Sequence, residues 1–320
     1  MSYYDFVRDE ELAALRADFY TPLIRHPILI VTALTALIHI SRSLRLKSNI
    51  LHVLSLFALA SFFMFVCTLV TNAGGLSDYP RRWRKATLGG INYAYAFSRL
   101  FELFGLIGTQ FVAYQLVYPD SKPSEKWIYR VVVGVQAMLT VAIFGLELAI
   151  TKTVIAMYNF DYSGNMDIYT MQNSWRYMLI ALFGFGLLAT TLLMWGSLNY
   201  RRQKSTFPQT TQKRIVGYAI TFPMWIVYLF YTAKHIFYEV SWRVYSITMV
   251  TTLSVPVAFD WIITAGLVTY FVGWIFLVRE WKRGNRAAEG EVSMADFDLK
   301  PELFSVGGAH GKDARSSVSV

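Results

Sequence analysis

Apolar residues run through this chain in seven long stretches that short polar segments separate. The stretches cover residues 22–41, 50–73, 89–118, 127–150, 174–197, 214–238 and 248–278. As a helix, each stretch is long enough to cross the ~30 Å of hydrocarbon in a bilayer. The pattern therefore predicts an all-α, polytopic membrane protein built as a seven-transmembrane-helix bundle. The short connections favour antiparallel packing of consecutive helices.

Polar composition marks the two ends of the predicted bundle. Residues 1–21 include several acidic side chains and are predicted to be an amphipathic lead-in that is retained rather than cleaved. Residues 22–286 form one membrane domain. Residues 287–320 are rich in Gly, Ser and charged residues, which predicts a disordered polar tail. The sequence shows no internal repeat, and this disfavours an inverted-repeat transporter.

The net charge of +9 indicates a membrane topology rather than a nucleic-acid partner. Basic residues are concentrated in short loops, as the positive-inside rule requires, and their distribution predicts an N-terminus on the outer side. The partner expected from composition is the lipid bilayer, with no nucleic acid, and the endoplasmic reticulum is the expected membrane. The single cysteine, Cys67, excludes an intrachain disulfide and a metal–thiolate site.

Motifs for metal or cofactor chemistry are missing from the sequence. The five histidines form no clustered boxes, and there is no His-Glu-x-x-His motif. The chain also lacks an aspartate-rich diphosphate motif, a Gly-x-Ser-x-Gly elbow and a glycine-rich nucleotide loop. No metal and no cofactor are therefore expected.

Three acidic residues lie within the apolar stretches: Glu102 in the third, Glu147 in the fourth and Asp260 in the seventh. A charged side chain at the centre of a bilayer costs roughly 2.5–3.5 kcal/mol on insertion scales, so such residues normally face the interior of a bundle and mark a site. Asp260 has no partner of opposite charge on its own helix. It must be protonated, be paired across helices, or face water.

Polar and aromatic residues recur at helical spacing in four of the stretches. These faces comprise Tyr95, Arg99, Glu102, Gly105 and Thr109; Gln136, Thr140, Glu147 and Thr151; Tyr218, Thr221, Trp225, Tyr228, Thr232 and His235; and Thr252, Pro256, Asp260 and Thr264. With alternating helix direction, the ionisable residues of these faces converge on one half of the bundle. Arg25 and His26 in the first stretch belong to the same half.

Each candidate also has a structural interpretation. Arg99 and Glu102 are three residues apart, and one interpretation is that they form a neutralised structural pair on the same helix. Glu147 lies near a helix end, where it reaches interfacial water, and His235 lies beside Lys234 as an interfacial anchor. Tryptophan and tyrosine near helix ends usually belong to the aromatic belt of a membrane protein.

The first functional hypothesis is a metal-independent terpene cyclase. Aromatic residues make up 16% of the chain, and aromatic faces stabilise carbocations in a dry cavity. A carboxylic acid kept neutral by an apolar pocket can protonate an epoxide or an alkene. The catalytic candidates are Asp260 as the preferred proton donor, Glu102 oriented by Arg99, and Glu147. The substrate-binding candidates are Arg99, Tyr95, Trp225, Tyr228 and Trp261.

In its span pattern over residues 22–279, the chain resembles the small fungal integral membrane terpene cyclases of meroterpenoid pathways. The resemblance rests on size, number of spans, acidic residues and the lack of a metal motif, and it assigns no residue. It implies an isomerase-type reaction in secondary-metabolite biosynthesis, with a small hydrophobic, isoprenoid-type substrate.

The second hypothesis is a seven-helix receptor or an opsin-related protein. Pro223 and Trp225 in the sixth stretch and Asp260 in the seventh are similar to the pattern of microbial opsins. The resemblance places Thr264 at the position of the retinal lysine, and threonine cannot form a Schiff base. It therefore implies a lysine-free relative with a ligand cavity in the outer half. A small transporter that uses the buried acids as a relay is a third hypothesis.

Overall fold

The computed structural model describes residues 3–43, 49–75, 81–117, 123–157, 165–199, 216–243 and 249–289. These residues are helical throughout. The helices are α1 Tyr3–Ser43, α2 Asn49–Gly75, α3 Arg81–Val117, α4 Pro123–Met157, α5 Asn165–Asn199, α6 Phe222–Arg243, which follows a π-helical segment Val216–Thr221, and α7 Met249–Glu289. The predicted all-helical class is confirmed, and each predicted apolar stretch overlaps one helix.

Six of the described helices are long and apolar enough to cross a membrane. Their candidate spans are Arg16–Ser41, Asn49–Thr71, Tyr129–Ala156, Ile168–Ser197, Val216–Tyr238 and Ser254–Glu280. The helix α3 is not among them. The described chain therefore fits an integral, multi-pass membrane protein, as the sequence predicts.

The helices form a ring in chain order. Each packs against the next one along the sequence, and α1 packs against α7 to close the ring. In addition, α3 contacts α5 and the π-helical segment, which places it in the middle of the bundle. The ring has two ends. We call the end at which α1, α3, α5 and α7 begin the cavity end, and the other the opposite end.

The lead-in predicted for residues 1–21 continues into the first span, because α1 passes from Tyr3 to Ser43 as one helix. At the other terminus α7 extends to Glu289, and the predicted polar tail lies almost wholly outside the described residues.

A π-helical segment precedes α6 because of Pro223. Proline has no N–H to donate to a carbonyl one turn earlier, and its ring disfavours a regular α-turn there. The carbonyl of Ala219 in this segment approaches Gly273 of α7 so closely that a Cβ at that glycine would overlap it. The residue type at Gly273 therefore fixes the separation of the π-helical segment from α7.

The interior of the opposite end is tightly packed and mostly apolar. Its largest fully buried side chains include Trp274, Tyr270 and Met224. Two hydrogen bonds between helices cross this interior. Thr109 and Tyr270 share one of 2.8 Å between hydroxyl oxygens. The Gln110 side chain donates to the Gly186 carbonyl at 3.0 Å. These contacts close the bundle below the site described next.

Candidate functional site

The bundle encloses a cavity of about 660 Å³ at the cavity end. Every helix except α4 contributes to its lining. Within the described part of the chain, the acidic, basic and histidine residues that line it are Asp18, Arg25, His26, Arg99, Glu102, Arg176, Lys234, His235 and Asp260. The predicted convergence of ionisable residues on one half of the bundle is therefore observed. The volume of the cavity is within the ≈ 300–1,000 Å³ typical of small-molecule sites.

The cavity is polar around its middle and apolar at its floor. Leu29 lies one helical turn beyond Arg25, and Leu103 follows Glu102 directly. Leu267 and Phe271 lie about two and three turns beyond Asp260 along α7. Phe57 of α2 completes the floor and packs edge-on against Phe271, with ring centroids 5.6 Å apart. The arrangement suits a molecule that has one polar and one apolar end.

Asp260 lies between two cations. Its Oδ1 atom contacts Arg25 Nη1 of α1 at 2.8 Å and Lys234 Nζ of α6 at 2.7 Å. All three side chains are largely buried, with 11–18% of each exposed. The sequence leaves three possibilities for Asp260: protonation, pairing across helices, or exposure to water. In the structure Asp260 is paired across helices. This geometry disagrees with Asp260 as an unpaired proton donor, because its carboxylate already accepts from two cationic groups.

Arg99 is held on two sides. Its Nε atom contacts Glu147 Oε1 of α4 at 2.9 Å, and its guanidinium carbon lies 4.9 Å from the centre of the Trp175 ring of α5. Trp175 Nε1 donates to the same oxygen of Glu147 at 3.0 Å. The neutralised pair of Arg99 with Glu102 is therefore not formed. A partner from a neighbouring helix replaces the one on the same helix.

Glu102 accepts a hydrogen bond from the Tyr231 hydroxyl of α6. The Tyr231 ring stacks on Phe183, with centroids 4.7 Å apart and planes 7° from parallel. Phe183 also stacks on His235 at 5.4 Å. Glu102 therefore depends on α6 for its position and not on Arg99, which differs from the orientation expected from sequence.

The other predicted site residues divide into two groups. Tyr95 lines the cavity, and Glu147 lies behind Arg99 without lining it. Trp225, Tyr228 and Trp261, which are predicted to bind substrate, do not line this cavity. Trp225 donates to Thr191 at 3.0 Å on the exposed side of α6, and Trp261 is 37% exposed.

Tyr228 is fully buried for a packing reason. Its ring lies against the backbone of Gly186 so closely that a Cβ there would overlap it. Of the polar face predicted for the sixth stretch, His235 lines the cavity, whereas Tyr228 does not. The lining side of α6 also carries Tyr231, Lys234 and Tyr238, which follow helical spacing as well.

The sequence pattern does not identify several residues of the site. It does not single out Tyr231 or Trp175, and it predicts Lys234 only as an interfacial neighbour of His235. Their spacing alone contains a usable signal: Tyr231, Lys234 and Tyr238 lie three and four residues apart, and Trp175 precedes a basic residue at the start of a span.

Among the described residues, no group of three His, Cys, Asp or Glu side chains is placed to hold a metal ion. Comparison of this chain with protein-family models, with curated proteins and with solved structures finds no match.

Proposed function

We propose that this protein is a seven-helix membrane protein of receptor type, which binds one small amphiphilic molecule in its cavity. The observation that carries the proposal is a cavity of about 660 Å³ that charged side chains line at one end of a closed helix ring. The opposite end of the ring is packed. A cavity that ends at a packed interior is suited to binding rather than to passage through the bundle.

The proposal includes α3 as a seventh membrane crossing. Its lower hydropathy comes in part from polar residues that have partners on other helices. Arg99 contacts Glu147, Glu102 accepts from Tyr231, and Ser98 donates to the Ala60 carbonyl at 2.7 Å. Because these groups are satisfied within the bundle, placing α3 in the bilayer does not expose them to lipid.

Ionic contacts at the cavity connect five of the helices to one another in two groups. Arg25, Lys234 and Asp260 join α1, α6 and α7, and Arg99 with Glu147 joins α3 and α4. A ligand with a charged group competes for these contacts and so changes the free energy of helix packing. Such coupling between ligand and packing is what a receptor needs to respond to binding.

The test is the identification of molecules that copurify with the protein. Ser61 of α2 is buried and lines the cavity, whereas Leu59 on the same helix is 44% exposed. Wild type, Ser61→Phe and Leu59→Phe are expressed, reconstituted in lipid nanodiscs and analysed by native mass spectrometry. We expect a bound compound in wild type and Leu59→Phe and its loss in Ser61→Phe. Identical bound material in all three proteins would refute binding in the cavity.

A second candidate function is acid-initiated cyclisation of an isoprenoid substrate, with the endoplasmic reticulum as the expected membrane. The hydrogen bond between Glu102 and Tyr231 supports it, because both side chains line the cavity beside the aromatic ring of Phe183. In this scheme Glu102 delivers a proton to an epoxide oxygen, the ring closes on an alkene, and a proton is returned. The product is an isomer of the substrate.

Microsomes that contain the protein distinguish the two functions. Given a panel of epoxidised prenyl phenols, an enzyme yields an isomeric product that Glu102→Gln abolishes. A receptor returns every bound compound unchanged. Recovery of unaltered substrates across the panel, with correctly inserted protein, would eliminate the cyclase.

A further inference from the structure

The side of Arg99 that faces the cavity has unused hydrogen-bonding capacity. Glu147 engages its Nε atom, and the ring of Trp175 lies against the guanidinium. The ion pair with Glu147 is made at Nε, and the guanidinium carries further N–H donors on its two terminal nitrogens. Arg99 lines the cavity, and 31% of its side chain is exposed. A guanidinium held in this way presents a rigid fork of N–H donors, which matches the two oxygens of a carboxylate or phosphate.

The two acidic residues that pair with the cationic residues of the site differ in whether they line the cavity. Glu147 contacts Arg99 from behind and does not line the cavity. Asp260 does line it, but its Oδ1 atom is shared by Arg25 and Lys234. Of the charged residues in the described lining, four are basic (Arg25, Arg99, Arg176 and Lys234) and three are acidic (Asp18, Glu102 and Asp260). Glu147 brings the acidic residues at the site to four, so basic and acidic groups balance, and Arg99 is a basic lining residue whose acidic partner lies outside the lining.

The basic residues also act on a common region. Arg99, Arg176 and Lys234 all interact electrostatically with His235, and Arg99 and Arg25 both interact with Lys234. Asp260 acts on both groups in the opposite sense and offsets part of this positive potential. An anionic group that contacts the terminal nitrogens of Arg99 is attracted by the guanidinium, whereas an ammonium group at the same point is repelled by it.

The floor below Arg99 accepts an apolar body. Leu103 lies one helical turn beyond Arg99 on α3, and Leu29, Phe57, Leu267 and Phe271 complete the surface. Free inorganic anions make no use of such a floor. Fully apolar molecules leave the fork of Arg99 without an acceptor.

We infer that the cavity binds an amphiphilic oxyanion, whose carboxylate or phosphate head is held by the terminal nitrogens of Arg99 and whose apolar body lies on the floor. The inference rests on the proposed ligand-binding function and specifies the chemical class of the ligand. It assigns to Glu147 and Trp175 the role of positioning Arg99.

The test uses full-length protein in nanodiscs and probes that share one alkyl chain: dodecanoate, dodecyl phosphate, dodecyltrimethylammonium and dodecanol. Acetate and inorganic phosphate are the probes without a chain. Binding is measured as the rise in the thermal unfolding midpoint with probe concentration. We expect the two anionic amphiphiles to bind, and the ammonium, the alcohol and the small anions to give no rise.

Variants locate the site. Arg99→Gln should remove binding of both anionic amphiphiles, and Arg99→Lys, which keeps the charge but loses the fork, should weaken it about tenfold. Arg130→Gln is the matched control: Arg130 is exposed on α4, so its loss has the same effect on partitioning of anions into the disc. Binding that survives Arg99→Gln as it survives Arg130→Gln would overturn the assignment.

One variant separates a binding role from a purely structural one. Glu147→Gln keeps a side-chain oxygen that can accept from Arg99 Nε and so retains the positioning contact, but it removes the negative charge beside Arg99, so it should strengthen binding of dodecanoate several-fold even where it lowers thermal stability. Unchanged or weaker binding in Glu147→Gln would contradict the role of Arg99.

The outcome with the wild type distinguishes this inference from the function on which it rests. Selective binding of dodecyltrimethylammonium overturns the inference but leaves a ligand-binding cavity. Binding of acetate or inorganic phosphate as strong as that of the amphiphiles overturns the role of the floor. If no probe binds, the oxyanion class is overturned, while a compound retained by wild type and lost in Ser61→Phe still supports the proposed function.

Discussion

Arg25 of α1 and Lys234 of α6 contact the same carboxylate oxygen, Oδ1 of Asp260, at 2.8 and 2.7 Å. This shared contact joins the first helix of the ring to the last two. A largely buried cation without its counter-charge is costly, so the contact stabilises the closure of the ring between α1 and α7. It also gives Asp260 a structural role at the cavity wall.

Replacing Asp260 by asparagine should lower the free energy of unfolding by about 3–5 kcal/mol, because it leaves two cations facing each other in a largely buried place. The measurement is chemical denaturation in detergent, followed by circular dichroism. The double variant Asp260→Asn, Lys234→Met should recover part of the loss, since one of the two cations is removed. Wild-type stability of the single variant would show that the pair contributes nothing.

Tyr231→Phe should lower the free energy of unfolding by about 1.5–3 kcal/mol, because it removes the hydrogen bond to Glu102 and keeps the ring that stacks on Phe183. Tyr218→Phe is the matched control. Tyr218 is 63% exposed in the π-helical segment, and its loss of a hydroxyl should change stability by less than about 0.5 kcal/mol. Equal effects of the two changes in a denaturation experiment would mean that Glu102 does not depend on Tyr231.

Trp175→Phe retains an aromatic face for Arg99 but loses the N–H donated to Glu147. We expect a loss of about 1 kcal/mol in stability and weaker binding of dodecanoate, because Arg99 is then positioned less firmly. Trp195→Phe serves as the comparison, since Trp195 is 69% exposed. Dodecanoate affinity that does not differ between the two variants would argue against positioning by Trp175.

Gly273→Ala should destabilise the bundle by about 1–3 kcal/mol, because its new Cβ would overlap the Ala219 carbonyl and force α7 away from the π-helical segment. Gly134→Ala on α4 is the comparison variant, and we expect it to change stability in the opposite direction. No neighbouring atom lies within 4 Å of a Cβ there, so the change should stabilise the helix by up to about 1 kcal/mol. Thermal unfolding of both variants tests the pair, and a neutral Gly273→Ala would refute the close packing.

Local sequence was sufficient to predict the helices but not which residues pair. Helical spacing brought Arg99 and Glu102 within reach of each other, yet each has a partner on another helix. Spacing within one helix limits the possible contacts to neighbours along that helix. It contains no information about the rotation of α4 or α6, which decides that Glu147 reaches Arg99 and Tyr231 reaches Glu102.

The sequence by itself determined the helical class, the approximate position of each helix and the half of the bundle that collects the ionisable residues. Those properties follow from hydropathy, from the length needed to cross a bilayer and from alternating helix direction. Tertiary structure alone decided that Asp260 is paired, that Trp225 and Trp261 lie outside the cavity, and that Arg99 lines the cavity while Glu147 contacts its Nε atom. The physical reason is that helix rotation and close packing, as at Gly186 and Gly273, select which side of each helix faces inward.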